Sequence, residues 1–264
     1  MLFLRIVVFI IFVGLSTFSI AQKATYIANS GVFVEVGNTK ILIDALFTNG
    51  LRRFSTPNDS KLAAMTTGKS PYNNLSLALI THAHQDHCDP SQLSKLLLNQ
   101  KTLNCLTTPQ VLDSIEAVMD DYESIHDRTL TFPISRGWRT YSKEGLSIKA
   151  AYARHAGKIN AKVQDIIFIA DMEGKKVLHL GDADMDPNRF DELKLQYEDL
   201  DIAFVPFWYM TSFYGAEVIH KYIKAKKIIA VHFPLNGSKL SLEKINKFLP
   251  EVMVFQNPGQ TVSF

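Results

Sequence analysis

The sequence predicts an α/β protein in which two β-sheets pack face to face with helices on both outer surfaces, a four-layer αββα sandwich. Short apolar runs typical of buried strands alternate with amphipathic stretches in both halves of the chain. Two of these runs, residues 40–44 and 176–182, carry an aspartate at or just after the end of the strand, namely Asp44 and Asp182. Because the halves are alike and no long linker separates them, we expect one domain over residues 22–264.

The first half of the chain is predicted to open with a β-meander. Alternating apolar residues indicate strands at residues 24–28, 32–36 and 40–45. The dipeptide Gly37-Asn38 between the second and third strands is typical of a hairpin turn. Residues 51–74 are rich in Ser, Thr, Asn, Pro and Gly, so we expect an irregular insertion placed to overhang a site. A buried strand and two helices are then predicted at residues 77–81, 92–98 and 109–119.

The second half repeats this organisation. Strands are predicted at residues 146–152, 165–170, 176–180, 202–205 and 228–231. Glu173-Gly174 marks a hairpin turn between the second and third of these strands, and residues 213–224 have helical spacing. The alternation of strands and helices therefore continues towards the C-terminus.

The composition is that of a globular protein. Of the 264 residues, 47% are hydrophobic and 20% are charged, which argues against a disordered chain or a protein with several membrane spans. The 28 basic and 26 acidic side chains leave a formal charge of +2, so no overall field favours nucleic acid as a partner. Two cysteines are too few for a disulfide scaffold. We expect Cys88 to be a buried free thiol, with a disulfide to Cys105 as the alternative.

The first 21 residues predict a cleavable export signal. Arg5 precedes an apolar run over residues 6–15, and the small-residue site Ser19-Ile20-Ala21 follows before Gln22. The apolar run is shorter than the roughly 20 residues of a membrane-spanning helix, which disfavours an uncleaved anchor. We therefore expect a periplasmic or secreted protein with no stable membrane span after cleavage.

A dense group of histidines follows the predicted strand at residues 77–81. Three imidazoles and one carboxylate, those of His82, His84, His87 and Asp86, lie within six consecutive residues. On an extended backbone, residues two apart point to the same side, so His82 and His84 are placed to bind one ion. Asp86 and His87 lie where the loop turns and are placed to serve a second ion. Imidazole nitrogen and carboxylate oxygen are ligands that zinc and similar cations prefer.

Three further residues of suitable chemistry, His155, Asp182 and His232, each follow a predicted strand. Strand ends from several parts of an α/β fold meet at one edge, where open sheets place their sites. The alternative interpretation, a polar loop whose histidines bind backbone groups, would not require these later residues. The sequence therefore predicts a metal site.

With this histidine signature and the later His, Asp and His in order, the mature chain resembles the metallo-β-lactamase fold hydrolases over essentially its whole length. The resemblance implies the αββα sandwich and two divalent metal ions, expected to be Zn²⁺, with Mn²⁺ as an alternative. It implies that one ion is held by His82, His84 and His155, and the other by Asp86, His87 and His232. Asp182 would bridge the two ions, and Asp44 would orient the ligands.

Within this superfamily, residues 84–90 and the segment Ala153-Arg154-His155 look most like the ascorbate-6-phosphate lactonase-like and N-acyl-phosphatidylethanolamine phospholipase D-like branch. This resemblance implies hydrolysis of a lactone or a phosphodiester in a small-molecule or lipid-like substrate. A metal-bridging hydroxide would attack, with Asp86 and Asp182 as catalytic residues. The alternatives are a secreted β-lactamase or thioesterase of the same fold, and a non-catalytic periplasmic metal-binding protein. The oligomeric state is left open.

Asp182 bears on these alternatives. In secreted β-lactamases of this fold the corresponding position is usually not a bridging aspartate, whereas thioesterases, lactonases and phosphodiesterases have one, so a β-lactamase is disfavoured.

The aromatic run Phe207-Trp208-Tyr209, together with Phe213 and Tyr214, is expected to contribute partly to core packing and partly to a pocket wall. Tyr209, Tyr214 and Lys158 are candidates for the acid that protonates the leaving group.

Overall fold

Two seven-stranded sheets form the centre of the computed structural model, which describes residues 22–237 and 239–264. The first sheet contains β1 (Gln22–Ala28), β2 (Gly31–Val36), β3 (Thr39–Ile43), β4 (Leu77–Leu79), β5 (Asn104–Thr107), β6 (Thr129–Thr131) and the C-terminal β14 (Thr261–Ser263). Its spatial order is β14-β1-β2-β3-β4-β5-β6. The predicted opening meander, β1 to β3, is confirmed.

The second sheet contains β7 (Arg139–Lys143), β8 (Leu146–Arg154), β9 (Gln164–Met172), β10 (Lys175–His179), β11 (Leu200–Pro206), β12 (Ala225–Val231) and β13 (Met253–Val254). Its spatial order is β13-β12-β11-β10-β9-β8-β7. The predicted hairpin is present, because β9 and β10 pair antiparallel around Glu173-Gly174.

The helices lie outside the sheets. They are α1 (Asp59–Thr66), α2 (Pro90–Asn99), α3 (Pro109–Glu116), α4 (Glu123–His126), α5 (Pro187–Glu192), α6 (Phe213–Tyr222) and α7 (Lys239–Phe248). One buried apolar cluster joins the facing sheets, a second joins the first sheet to α1–α4, and a third joins the second sheet to α5–α7. These three apolar layers between four structural layers confirm the predicted αββα sandwich.

Each sheet is antiparallel in one half and parallel in the other. In the first sheet β1, β2 and β3 pair antiparallel, whereas β3 to β6 pair parallel. In the second sheet β7 to β10 pair antiparallel and β10 to β13 pair parallel. The C-terminal ends of parallel strands lie at one edge of their sheet, so each sheet presents such an edge to the site.

The expectation that residues 51–74 are irregular is wrong for the second part of this segment, which contains α1. The side chain of Asn58 caps the helix by accepting a hydrogen bond from the backbone N–H of Lys61 at 2.8 Å. Leu62 and Met65 pack into the apolar cluster below. The remaining Ala, Ser, Lys and Thr residues weaken the apolar periodicity, which explains why the sequence pattern did not indicate a helix.

The strands β5, β6, β13 and β14 were also missed, because two to four residues are too few to show a period. The edge strand β7 is mostly exposed and polar, so its sequence resembles a loop. No helix among residues 22–237 and 239–264 is both long and apolar enough to cross a membrane. The predicted export signal, residues 1–21, lies outside the described residues.

Phe168 tests the central layer between the sheets. Its side chain is fully buried in the cluster that joins them, so Phe168→Ala leaves a cavity and should lower the free energy of unfolding by about 3–5 kcal/mol. Val118→Ala is the control, because Val118 is 53% exposed. Urea unfolding followed by far-UV circular dichroism measures both. Equal losses in the two variants would contradict the packing described here.

Candidate metal centre

The histidine-rich segment leaves β4 and enters α2 through one tight turn. The backbone N–H groups of His87 and Cys88 both donate to the carbonyl oxygen of His84 at 3.0 Å. Asp89 then caps α2, since its carboxylate accepts from the N–H groups of Ser91 and Gln92. This turn brings His82, His84, Asp86 and His87 to one edge of the first sheet.

The later predicted residues come from the second sheet. His155 directly follows β8, Asp182 lies three residues after the end of β10, and His232 directly follows β12. The backbone N–H of Ala156 donates to the Asp182 carbonyl at 2.8 Å, and His155 pairs with Ala183 in an isolated β-bridge. The structure therefore brings all seven predicted side chains together where the edges of the two sheets meet.

The first group of side chains consists of His82, His84, His155 and Asp182. His84 Nδ1 lies 3.1 Å from His82 Nε2 and 3.1 Å from His155 Nε2. Nitrogens bound tetrahedrally to one zinc ion at 2.0–2.1 Å would stand about 3.3 Å apart. The spacing of the three imidazoles therefore fits a single metal ion.

The second group consists of Asp86, His87 and His232, with Asp182 beside it. His232 Nε2 lies 3.3 Å from Asp86 Oδ2 and 3.3 Å from Asp182 Oδ2. His87 Nε2 lies 3.4 Å from Asp182 Oδ1. Asp182 also faces the first group, because its Oδ2 lies 3.6 Å from His155 Nε2.

Unpartnered buried atoms support a metal at this position. His87 Nε2, His232 Nε2 and Asp182 Oδ1 are buried and have no hydrogen-bond partner. Buried polar atoms are normally paired, so three such atoms pointing to one place need an explanation. Divalent ions bound by the two groups would satisfy all three, and the donor set of imidazole and carboxylate suits such ions.

The opposite nitrogens of the rings are held by the protein. Asp44 Oδ2 lies 2.8 Å from His87 Nδ1 and accepts a hydrogen bond from Thr81 Oγ1 at 2.6 Å. Thr81 Oγ1 in turn lies 2.9 Å from His82 Nδ1. Asp44, His82 and His87 therefore lie close together and are connected by hydrogen bonds. Asp44 thus occupies the orienting position that the resemblance implies.

Asn29 was missed by the sequence analysis. Its amide nitrogen donates to the backbone oxygen of Asp86 at 2.9 Å and to Asp86 Oδ2 at 3.2 Å. Its backbone oxygen accepts from the N–H of His232 at 2.9 Å. Asn29 has a left-handed φ of 49° at the tight turn between β1 and β2. In the sequence Asn29 directly follows a predicted strand, but Asn is also typical of turns, so its position did not indicate a role at the site.

Asp165 was also missed, because it lies within β9, where a polar residue did not indicate a site. Asp165 is buried 3.5 Å from His82 Nδ1, and burial raises the pKa of its carboxyl well above its usual range. His179 joins the sheets: its Nε2 donates to the Ser30 carbonyl at 2.9 Å and its Nδ1 accepts from the N–H of Gly181 at 3.1 Å. Both side chains support the segments that carry the site.

The pKa values of His82 in the first group and His232 in the second group are shifted in opposite directions. Burial and the neighbouring imidazoles lower the pKa of His82 well below its usual range, which favours the neutral form that binds metal. Burial also lowers the pKa of His232, but Asp182 and Asp86 outweigh it and raise this pKa to about 10.

A cleft of about 770 Å³ opens onto the site. Phe207 and Trp208 line it, which confirms part of the predicted aromatic wall. Tyr209 does not: its side chain is fully buried and its hydroxyl donates to the Ala183 carbonyl at 2.8 Å, so it cannot protonate a leaving group. Phe213 and Tyr214 are exposed at the start of α6 and are not among the lining residues.

Cys88 and Cys105 are both buried and free. The predicted free thiol is confirmed, and the alternative disulfide is wrong. Burial raises the pKa of both thiols, that of Cys105 to about 12, so neither is a ready metal ligand.

This architecture, with His and Asp groups at the shared edge of two sheets, is that of the metallo-β-lactamase fold. Residues 23–232 match the family model of the beta-lactamase superfamily domain. The chain therefore belongs to the β-lactamase superfamily. No curated protein sequence matches the chain.

Solved structures similar to this chain share its fold at low sequence identity. Igni18, a metallo hydrolase from Ignicoccus hospitalis, is 19% identical with a TM-score of 0.63, and the match covers 92% of this chain and 98% of that chain. An isothiocyanate hydrolase from Delia radicum gut bacteria is 16% identical with a TM-score of 0.61, covering 92% and 98%. CmlA, a diiron β-hydroxylase from Streptomyces venezuelae, is 13% identical with a TM-score of 0.60, covering 93% and 55%. These likenesses show the fold alone.

Asn29→Gly tests how the second group is held. Glycine accepts the left-handed φ and keeps the backbone bond to His232, so the variant removes only the amide contacts to Asp86. Loss of such a supporting contact should weaken metal binding at the second group about 10–100-fold, with the first group unchanged. Competition with a chromophoric chelator measures both affinities.

Asn74→Gly is the matched control, because Asn74 has a similar φ of 55° and is exposed. It should bind metal as the unmodified protein does. Unchanged affinity in Asn29→Gly would mean that Asp86 needs no support from Asn29.

Proposed function

We propose that the protein is an exported hydrolase that uses two divalent metal ions, zinc or manganese, to cleave a lactone or a phosphodiester. The observation that carries the proposal is the position of Asp182. Its carboxylate lies 3.6 Å from His155 Nε2 in the first group and 3.3 Å from His232 Nε2 in the second. A carboxylate shared in this way is the expected arrangement for a pair of ions serving one reaction.

In this proposal His82, His84 and His155 would hold one ion, Asp86, His87 and His232 would hold the other, and Asp182 would be shared between them. When bound, the ions lower the pKa of water and polarise the carbonyl or phosphoryl oxygen of the substrate. CmlA, part of which matches this chain, is a diiron protein.

The residues of the chain orient the attacking water, balance positive charge and limit bulk water in the cleft. Asp86 lines the cleft, and although burial acts against it, His232 holds the pKa of this carboxyl below its usual range. Asp86 therefore stays ionised near neutral pH and is placed to orient the attacking water and balance positive charge. Phe54 and Trp208 pack edge-on against His232, with ring centroids 4.2 Å and 5.2 Å away. Their apolar faces limit bulk water, which strengthens electrostatic interactions inside the cleft.

The choice of lactone or phosphodiester rests on the resemblance of residues 84–90 and 153–155 to the lactonase-like and phospholipase D-like branch. Both substrates offer an oxygen that a metal ion can polarise beside the bond to be broken: the carbonyl oxygen of a lactone or a non-bridging oxygen of a phosphodiester. The non-catalytic alternative has less support, because a scaffold protein has no need of a carboxylate shared by two groups or of an open cleft beside them.

Metal content and turnover test the proposal. Protein purified without chelator and reconstituted with Zn²⁺ or Mn²⁺ should bind two equivalents by elemental analysis and hydrolyse a lactone or a phosphodiester. The panel includes a thioester and a β-lactam, so that the alternative activities would be detected. A metal-free preparation with full activity, or turnover of the β-lactam alone, would contradict the proposal.

Asp182→Ala provides the matching variant. It should retain about one equivalent of metal, because the carboxylate shared by the two groups is gone and the second ion is held more weakly. It should also lose most of the turnover, because the reaction needs both ions. His126→Ala is the control, since His126 is an exposed histidine of α4. Two retained equivalents and near-normal turnover in Asp182→Ala would refute the assignment of Asp182 as a bridge.

Export has its own test. The charge of Arg5, the apolar run and the small-residue site support cleavage after Ala21, so the mature protein should begin at Gln22. Intact-mass measurement of the protein from periplasm and medium of an expressing bacterium gives the start of the chain. Recovery of only the full-length chain, in the cytoplasm, would contradict export.

A further inference from the structure

The part of the cleft beyond the metal groups is apolar. Leu51, Phe54, Ile159, Phe207 and Trp208 line it, together with the small side chains of two alanines. Phe54 and Trp208 adjoin His232, so the apolar surface begins directly at the second group. When the reacting bond of a substrate lies at the metal groups, the rest of the substrate therefore contacts apolar side chains along the cleft.

Ile159 stands at the mouth of the cleft with 96% of its surface exposed. It lies in a single 3₁₀ turn, Lys158–Asn160, after His155. Asn160 Nδ2 donates to the Ala156 carbonyl at 2.9 Å, and the N–H of Val163 donates to the Asn160 carbonyl at 2.9 Å. The turn is thus ordered, and it holds a large apolar side chain in water beside the site.

Leu51 is held on the same cleft by a strained loop. Leu51 and Arg52 both have left-handed φ values, 52° and 57°, which non-glycine residues rarely adopt. The loop closes on Gly50, where a Cβ would lie 2.2 Å from the Phe54 carbonyl oxygen, and the N–H of Leu51 donates to Asn49 Oδ1 at 2.9 Å. Strain of this kind persists only where surrounding contacts enforce it.

Two polar side chains of the lining, Gln85 and Asn160, form hydrogen bonds within the protein. Gln85 Oε1 accepts from Asn49 Nδ2 at 2.6 Å, and the Asn160 amide donates to Ala156. Among the described lining residues, Arg53 carries the one side chain with a permanent positive charge, and its guanidinium lies 5.4 Å from the centroid of the Phe54 ring. Apart from Arg53, the wall therefore offers few free partners for sugar hydroxyls.

We propose that Leu51, Phe54, Ile159 and Trp208 form a binding subsite for a hydrocarbon chain attached to the scissile group of the substrate. This inference rests on the proposed function and narrows it: the substrate is an alkyl-substituted lactone or phosphodiester rather than a sugar phosphate. Ile159 and Leu51 determine specificity at the outer end of the subsite, where an extended chain would cover them.

A homologous series tests the subsite. For lactones the series is γ-valerolactone, γ-hexalactone, γ-octalactone and γ-decalactone, with D-gluconolactone as the hydroxylated comparison. For phosphodiesters it is methyl, butyl and octyl 4-nitrophenyl phosphate. Each CH₂ that enters the subsite should raise kcat/KM about threefold to fourfold, and gluconolactone should be a poor substrate.

Ile159→Ser should lower kcat/KM for the longest substrates by about tenfold and leave the shortest unchanged, because only long chains reach this residue. Ile134→Ser is the matched control, since Ile134 is 64% exposed and is not a lining residue of the cleft. It should behave as the unmodified protein across the whole series. Ile159 is 96% exposed and is not a candidate metal ligand, so metal content should be equal in both variants.

A binding measurement gives a readout that does not depend on turnover. Octanoate and decanoate should bind the metal-loaded protein more tightly than butanoate, measured by tryptophan fluorescence, and Ile159→Ser should reduce this difference. Turnover and binding that are independent of chain length would overturn the subsite while leaving the hydrolase intact. Chain-length-dependent binding with no turnover of either series would support the subsite and count against the proposed reaction.

Discussion

The carboxylate of Asp182 stands between two groups of imidazoles, and the surrounding backbone is built to hold it there. Gly181 precedes it with a φ of 57°, and a Cβ at that position would lie 2.4 Å from Asp165 Oδ1. Only glycine lets the chain pass so close to the neighbouring strands. The Asp182 carbonyl also accepts the N–H of Ala156, which ties its loop to the loop of His155. The site thus depends on backbone packing as much as on the choice of ligands.

Two contacts across the sandwich align the sheets around this centre. Asn29, from the first sheet, binds Asp86 and the backbone of His232. His179, from the second sheet, binds the Ser30 carbonyl one residue further along. The turn between β1 and β2 therefore connects the histidine-rich segment to two strands of the opposite sheet. Small shifts of one sheet against the other would change distances within both groups at once.

The sequence predicted those parts of the molecule that local patterns encode. Buried strands of five or more residues show apolar runs, and the histidine-rich segment is dense enough to identify by itself. Asn29, Asp165 and Gly50 could not be assigned, because their roles arise from contacts with residues far away in the chain. α1 escaped for another reason: Leu62 and Met65 are too few to give a helical period among small and polar residues. Tyr209 was wrongly considered as a residue of the site. It is adjacent in sequence to two residues of the pocket wall, but sequence alone does not reveal that its ring is buried in the core.

The candidate ligands are divided between the sheets: His82, His84, Asp86 and His87 follow β4, whereas His155, Asp182 and His232 follow strands of the second sheet. An ion held by such a set would link the two sheets. Its binding free energy then adds to the free energy of folding, since the separated halves cannot hold it. In surroundings poor in metal, the same chain would be more easily opened between its sheets and degraded by proteases. The supply of metal would thereby govern how long the protein survives as well as whether it is active.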